Sequence, residues 1–185
     1  MVTEVSKPTK EQIIEYRKLK QAEIDLVREL AKEDLWTFIT EVLYPDDVDV
    51  PITQTWSFNY QEDLHRPLAE FVTKHASPGC KKLILMPRKH RKSYIVTIAH
   101  VVWRIIRDPN VRILVISGLD RTAKDFLKVV KGIFQHNEGI KKYFPEYHVT
   151  AGTQFGNETM FEHPLRSLND PNPRIVTGKQ LLRNL

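Results

Sequence analysis

The order of apolar runs in this sequence predicts an α/β fold, a parallel sheet flanked by helices and preceded by an N-terminal helical segment. Three observations carry the prediction. Residues 82–86 (KLILM) and 111–117 (VRILVIS) are short, continuous, β-branched or leucine-rich runs, the pattern of buried parallel strands. Each precedes a stretch with helical periodicity, so the chain reads strand–loop–helix–strand–helix, a βαβα unit whose crossover is right-handed. The 185 residues, 41% hydrophobic and 28% charged, supply a core for one domain with a helical preface. The expected division is 1–45 for the helical segment and 46–185 for the α/β domain.

The elements follow in order. Thr9 and Gln12 form a T-x-x-Q capping box at the start of a helix on which Tyr16, Leu19, Ala22, Leu26 and Leu30 recur at spacings of three and four. Asp34 is a second N-cap, before Leu35, Phe38, Ile39, Val42 and Leu43, and Pro45 stops that helix. Residues 45–56 read as a loop. A helix over 60–74 carries Leu64, Leu68, Phe71 and Val72 on one side, with Pro67 expected to distort it, and Ser77-Pro78-Gly79 turns the chain. After the 82–86 run, residues 93–107 place Ile95, Ile98, Ala99, Val102 and Ile106 on one face, until Asp108-Pro109-Asn110 ends the helix. Residues 120–134 do the same with Ala123, Phe126, Leu127, Val130 and Ile133. Beyond Pro145, glycines and prolines punctuate short pieces. Residues 159–162 read as turns and edge strand, 175–177 as another strand, and the last eight residues as a fraying helix.

Composition narrows the function. Lys and Arg total 28 against 23 Asp and Glu, a net charge of +5, which favours a polyanionic partner. Cys80 is the single cysteine, so neither a disulfide framework nor a cysteine-rich zinc site is available within one chain. His65, His75, Cys80 and His90 lack zinc-ligand spacing, and no G-x-S-x-G elbow surrounds Ser93. The longest apolar stretch, 94–106, is interrupted by His100 and Arg104 and is too short to span a bilayer. The N-terminus has no apolar h-region, and a cytoplasmic protein is expected.

The segment that carries chemistry is the loop 86–93, Met86-Pro87-Arg88-Lys89-His90-Arg91-Lys92-Ser93. An apolar strand, a tight basic loop and a Lys-Ser pair opening a helix are the parts a phosphate site needs. Backbone N–H groups and the positive helix end hold phosphate oxygens, the lysine reaches the β- and γ-phosphates, and the hydroxyl ligates Mg²⁺. Lys92 and Ser93 fit those roles. A G-x-x-x-x-G-K-[ST] pattern would place glycine at positions 86 and 91, where this chain has Met86 and Arg91. The plainer reading of 88–92 is a solvated basic run.

The ordered set resembles the ATPase domain of the large terminase subunit, the motor that packages DNA into viral capsids. Pro87-Arg88-Lys89-His90-Arg91-Lys92-Ser93 is similar to the P-R-G-H-x-K-S loop of phage members, with Lys89 in place of the glycine. KEDLWTFITEVLYP, LHRPLAEFV, VVWRIIRDPNVRILVIS and TAKDFLKVVKGIF match the family's style, and the likeness covers about residues 30–178. The resemblance implies a P-loop NTPase fold of the ASCE/RecA-like type, with ATP and Mg²⁺ as cofactors. It places the nucleotide on 87–93, with Lys92 on the β/γ-phosphates, Ser93 on Mg²⁺ and Arg88 as the catalytic arginine near the γ-phosphate. Gln61, after Tyr60, would read adenine, an amide matching both a donor and an acceptor of that base.

The implied activity is ATP-driven translocation of double-stranded DNA into procapsids. The portal protein and small terminase subunit are implied partners, the full-length protein forms a homo-oligomeric ring, and the site of action is the host cytoplasm and, transiently, the procapsid portal. No apolar run ending in paired carboxylates follows the loop, Asp46-Asp47 precedes it, and 185 residues leave no room for the family's nuclease domain. The sequence is therefore expected to be incomplete, ending before the Walker B strand. A non-catalytic nucleic-acid or portal-binding module is the alternative.

Overall fold

The computed structural model describes residues 9–44, 60–74, 80–150, 152–153, 156–167 and 175–177. Helix α1 (Lys10–Glu33) opens on the expected capping box: the Gln12 amide N–H donates to Thr9 Oγ1 and the Thr9 N–H to Gln12 Oε1. Asp34 caps α2 (Leu35–Thr37), accepting from the Thr37 N–H at 2.8 Å, and α2 runs on as a π-helical turn, Phe38–Leu43. Helix α3 (Glu62–Thr73) accommodates Pro67. A second π-helical turn (Tyr94–Ala99) leads into α4 (His100–Arg107). Strand β1 (Ile113–Val115), α5 (Asp120–His136), α6 (Glu138–Tyr143), a 3₁₀ turn (Pro145–Tyr147), β2 (Met160–Phe161) and β3 (Ile175–Thr177) complete the order.

The predicted parallel sheet of a P-loop NTPase is not the architecture. The described residues are mostly helical, and the strands among them are three segments of two or three residues. β3 pairs parallel with β1 and antiparallel with β2, a minimal ribbon whose Phe161 joins the helical core. The physical reason lies at 82–86. A parallel sheet would need this run at its centre, hydrogen-bonded on both edges. Instead it forms no strand among the described residues, with Lys82, Ile84 and Met86 half-buried while Leu83 and Leu85 are 79% and 83% exposed. No backbone–backbone hydrogen bond involves 82–86 among the described residues.

The core is helix on helix. The two π-helical turns supply Phe38, Ile39, Val42, Ile95, Ile98 and Ala99, and α4 is buried on almost every side through Val101, Val102, Trp103, Ile105 and Ile106. The Trp103 indole N–H donates to the Ala31 carbonyl at 2.9 Å, locking α4 to α1. The predicted inner face of α5 is buried at Ala123, Leu127, Val130 and Ile133. The stripe predicted on α1 faces outward: Tyr16, Leu19, Leu26 and Leu30 are 61%, 66%, 61% and 51% exposed. Ile24, Val27 and Ala31, a second stripe at spacings of three and four, meet the core instead. Among the described residues no helix is long and apolar enough to cross a membrane. The loop at 45–56, Asp46-Asp47, His75, the turn at Ser77-Pro78-Gly79, the boundary at 45 and the terminal helix lie outside the described residues.

Candidate phosphate-binding site

Helix α3 acts as a splint along the segment that leads into the basic loop. At its C-terminal end the Lys82 ammonium donates to the carbonyls of Phe71 and Val72, both at 2.7 Å, and of Lys74. These are the orphan carbonyls of a last helical turn, where a cation is favoured. At the N-terminal end His65 reaches the loop. Its Nδ1 accepts from the Gln61 N–H at 2.8 Å, and its Nε2 faces the His90 carbonyl at 3.3 Å. A carbonyl only accepts, so Nε2 carries the proton and the ring is neutral. His65 is 3% exposed, and burial lowers its pKa. Its edge meets the Tyr60 ring, which stacks on Tyr44.

The loop itself turns through two left-handed residues, Lys89 at φ 69° and Arg91 at φ 52°. Glycine populates this region freely, whereas a residue with a Cβ is strained there. Lys89 stands where the resembling family has its loop glycine, and Arg91 where the general phosphate-loop pattern has its second. Both residues thus take the backbone shape of a glycine without being one. Arg91 is held by its side chain, the guanidinium lying 5.3 Å from the Tyr94 ring centroid. Lys89 is exposed. Accordingly Lys89→Gly is expected to stabilise the protein by about 0.5–1 kcal/mol by relieving the strained φ. Arg91→Gly gains the same relief but loses a cation–π contact worth about 0.5–1 kcal/mol, for a net change near zero. Urea unfolding of both variants checks this; equal gains would contradict the role given to the Arg91 side chain.

Beyond the loop, Lys92 and Ser93 begin the helix, and the first helical hydrogen bond runs from the Ile95 N–H to the Arg91 carbonyl at 3.1 Å. The Lys92 ammonium points back to the Met86 carbonyl at 3.5 Å, so the cation spans the loop from end to start. A pocket of about 470 Å³, lined by Lys89, Arg91, Ser93 and Tyr94, opens beside it. Two cations, a hydroxyl, an aromatic face and a helix N-terminus suit an anionic, partly aromatic ligand. Nearby, burial pushes the Tyr44 phenol up to about 12, so it stays protonated.

Of the residues expected from sequence, Lys89, Arg91 and Ser93 line one pocket, with Lys92 at the loop's closure and His90 tied to α3. Pro87 and Arg88 are exposed and do not line that pocket. Gln61 is exposed at the N-cap of α3, its backbone joined to the loop through His65. Sequence reasoning missed His65, Lys82 and Tyr94. For His65 a signal existed: with Leu68, Ala69 and Val72 it occupies the buried face of α3, a polar ring in an apolar stripe. No protein-family model, curated protein or solved structure matches the chain.

Proposed function

We propose that this chain binds Mg-ATP through the 87–93 loop, as the N-terminal ATPase part of a viral terminase large subunit that drives double-stranded DNA into procapsids. The observation that carries the reading is the pair of left-handed residues, Lys89 and Arg91, at the mouth of a helix led by Lys92-Ser93. The loop takes a glycine-like course without glycines, on a largely helical scaffold rather than a parallel sheet. Lys92 neutralises the β/γ-phosphates, the Ser93 hydroxyl ligates the cation, and Gln61 meets the adenine edge. Arg88, exposed beside Lys89 in the loop, places a guanidinium against the γ-phosphate charge. Mg²⁺, which the Ser93 hydroxyl would help to hold, would supply positive charge against the phosphates. Double-stranded DNA, a portal protein and a small terminase subunit are the partners, and a homo-oligomeric ring in the host cytoplasm is the working assembly.

Calorimetric titration of Mg-ATP into wild type and Lys92→Ala tests this. Lys92→Ala removes charge-assisted hydrogen bonds worth about 1.5–3 kcal/mol, so binding weakens about tenfold to a hundredfold. Equal binding by the two proteins would overturn the assignment. Tight duplex-DNA binding by both, unaffected by ATP, would favour a non-catalytic nucleic-acid module.

A further inference from the structure

We propose that His65 is a positioning residue that sets the phosphate loop in register with Gln61, so that one imidazole aligns the phosphate and base ends of the nucleotide site. This deepens the Mg-ATP reading and rests on it. His65 binds backbone on both sides, the Gln61 N–H on its own helix and the His90 carbonyl on the loop, 25 residues away. A trans peptide is planar, with its C=O and N–H on opposite sides. Fixing the His90 carbonyl therefore fixes the whole 90–91 peptide plane and the direction of the Arg91 N–H. It does so at the residue whose left-handed φ of 52° shapes the loop. The Tyr60 ring packs edge-on against the imidazole, and His65 sits 3% exposed in the buried stripe of α3, so the tether cannot swing. Only the neutral ring protonated at Nε2 makes both bonds.

Two substitutions divide the ring's functions. In His65→Asn the side-chain oxygen stands near the Nδ1 position and still accepts from Gln61, but nothing reaches His90. In His65→Gln the side-chain amide stands near Nε2 and still donates to the His90 carbonyl, without the Gln61 bond. Limited trypsin digestion without nucleotide reads the loop directly, since Arg88, Lys89, Arg91 and Lys92 are all cleavage sites; cuts at Lys128 and Lys131 in α5 report on the fold. The expected result is loop cleavage about tenfold faster in His65→Asn, matching loss of about one hydrogen bond, with His65→Gln near wild type and α5 unchanged in both. Mg-ATP and tripolyphosphate affinities should fall about tenfold in His65→Asn, while His65→Gln keeps its tripolyphosphate affinity. The proposal is overturned if His65→Asn leaves loop cleavage unchanged, if His65→Gln opens the loop equally, or if α5 opens in step with the loop. If wild type binds neither Mg-ATP nor tripolyphosphate, the function proposed above fails, and the cleavage pattern alone decides whether His65 sets the loop.

Discussion

Replacing Gly139 with alanine destabilises the protein by about 2–4 kcal/mol, at the upper end of overpacking costs. Gly139 lies in the first turn of α6, where that helix meets the end of the first π-helical turn. A Cβ at this position would stand 1.7 Å from the Val42 carbonyl oxygen and 2.7 Å from its carbon, both backbone atoms that no rotamer change can move. The surrounding bonds fix the approach. The Asn137 side-chain oxygen caps α6 by accepting from the Ile140 N–H, while its amide donates to the Leu43 carbonyl, both at 2.9 Å. Alanine must separate the two helices and break this joint. At Gly132, in the interior of α5, a Cβ would meet nothing within 4 Å, so Gly132→Ala stabilises by about 0.5–1 kcal/mol. Urea unfolding of the two variants should therefore give opposite signs, and a Gly139→Ala protein as stable as wild type would refute the packing of α6 on the first π-helical turn.

Acid weakens the fold between about pH 6.5 and 4, and His100 dominates the loss. Burial, then the neighbouring Arg104 and Lys82 charges, lowers its pKa from 6.5 to about 4. A histidine whose folded pKa is depressed leaves the unfolded chain binding more protons in that window, so its stabilisation is full above 6.5 and lost as pH falls toward 4. For His100 the loss reaches about 2–3 kcal/mol. His65 and His163 act in the same direction, both lowered first by burial. The His163 Nδ1 accepts from the Leu165 N–H and its Nε2 donates to the Tyr147 carbonyl, the same neutral bridge that His65 makes. Unfolding free energies from pH 7.5 to 4.5 should fall steadily in wild type and distinctly less in His100→Gln. Parallel profiles would show that His100 is not held neutral by the fold.

How much of this was written in the sequence depends on whether the information is local. The Thr9–Gln12 box, the Asp34 cap and the inner faces of α4 and α5 were legible because caps and periodicity are properties of neighbouring residues. The choice between the two stripes of α1 was not, since Leu26 and Val27 are equally apolar and only the partner surface selects Val27. The 82–86 run failed for a related reason. Its composition is that of a buried strand, but pairing is a long-range property, and Leu83 and Leu85 end at the surface. At the loop, the helix start at Lys92 and Ser93 was legible from its order after the basic run. The left-handed turns at Lys89 and Arg91 contradict the local preference of those residues, and the His65 tether joins segments 25 residues apart.

The central claim, that phosphate sits on the 87–93 loop, is tested most directly by following backbone amide resonances of ¹⁵N-labelled protein during titration with Mg-ATP and with tripolyphosphate. The alternative place for an anion is the larger cleft along α5, about 570 Å³, where Arg121, Lys124, Lys128 and Lys131 are offset by Asp120, Asp125 and Glu158. Lys124 there is already within 3.4 Å of Asp120 and 3.6 Å of Glu158. The largest shifts, saturating together for both ligands, are expected on the amides of residues 89–94, with Gln61 responding to Mg-ATP alone. Shifts centred on residues 120–131 with the loop silent would contradict it.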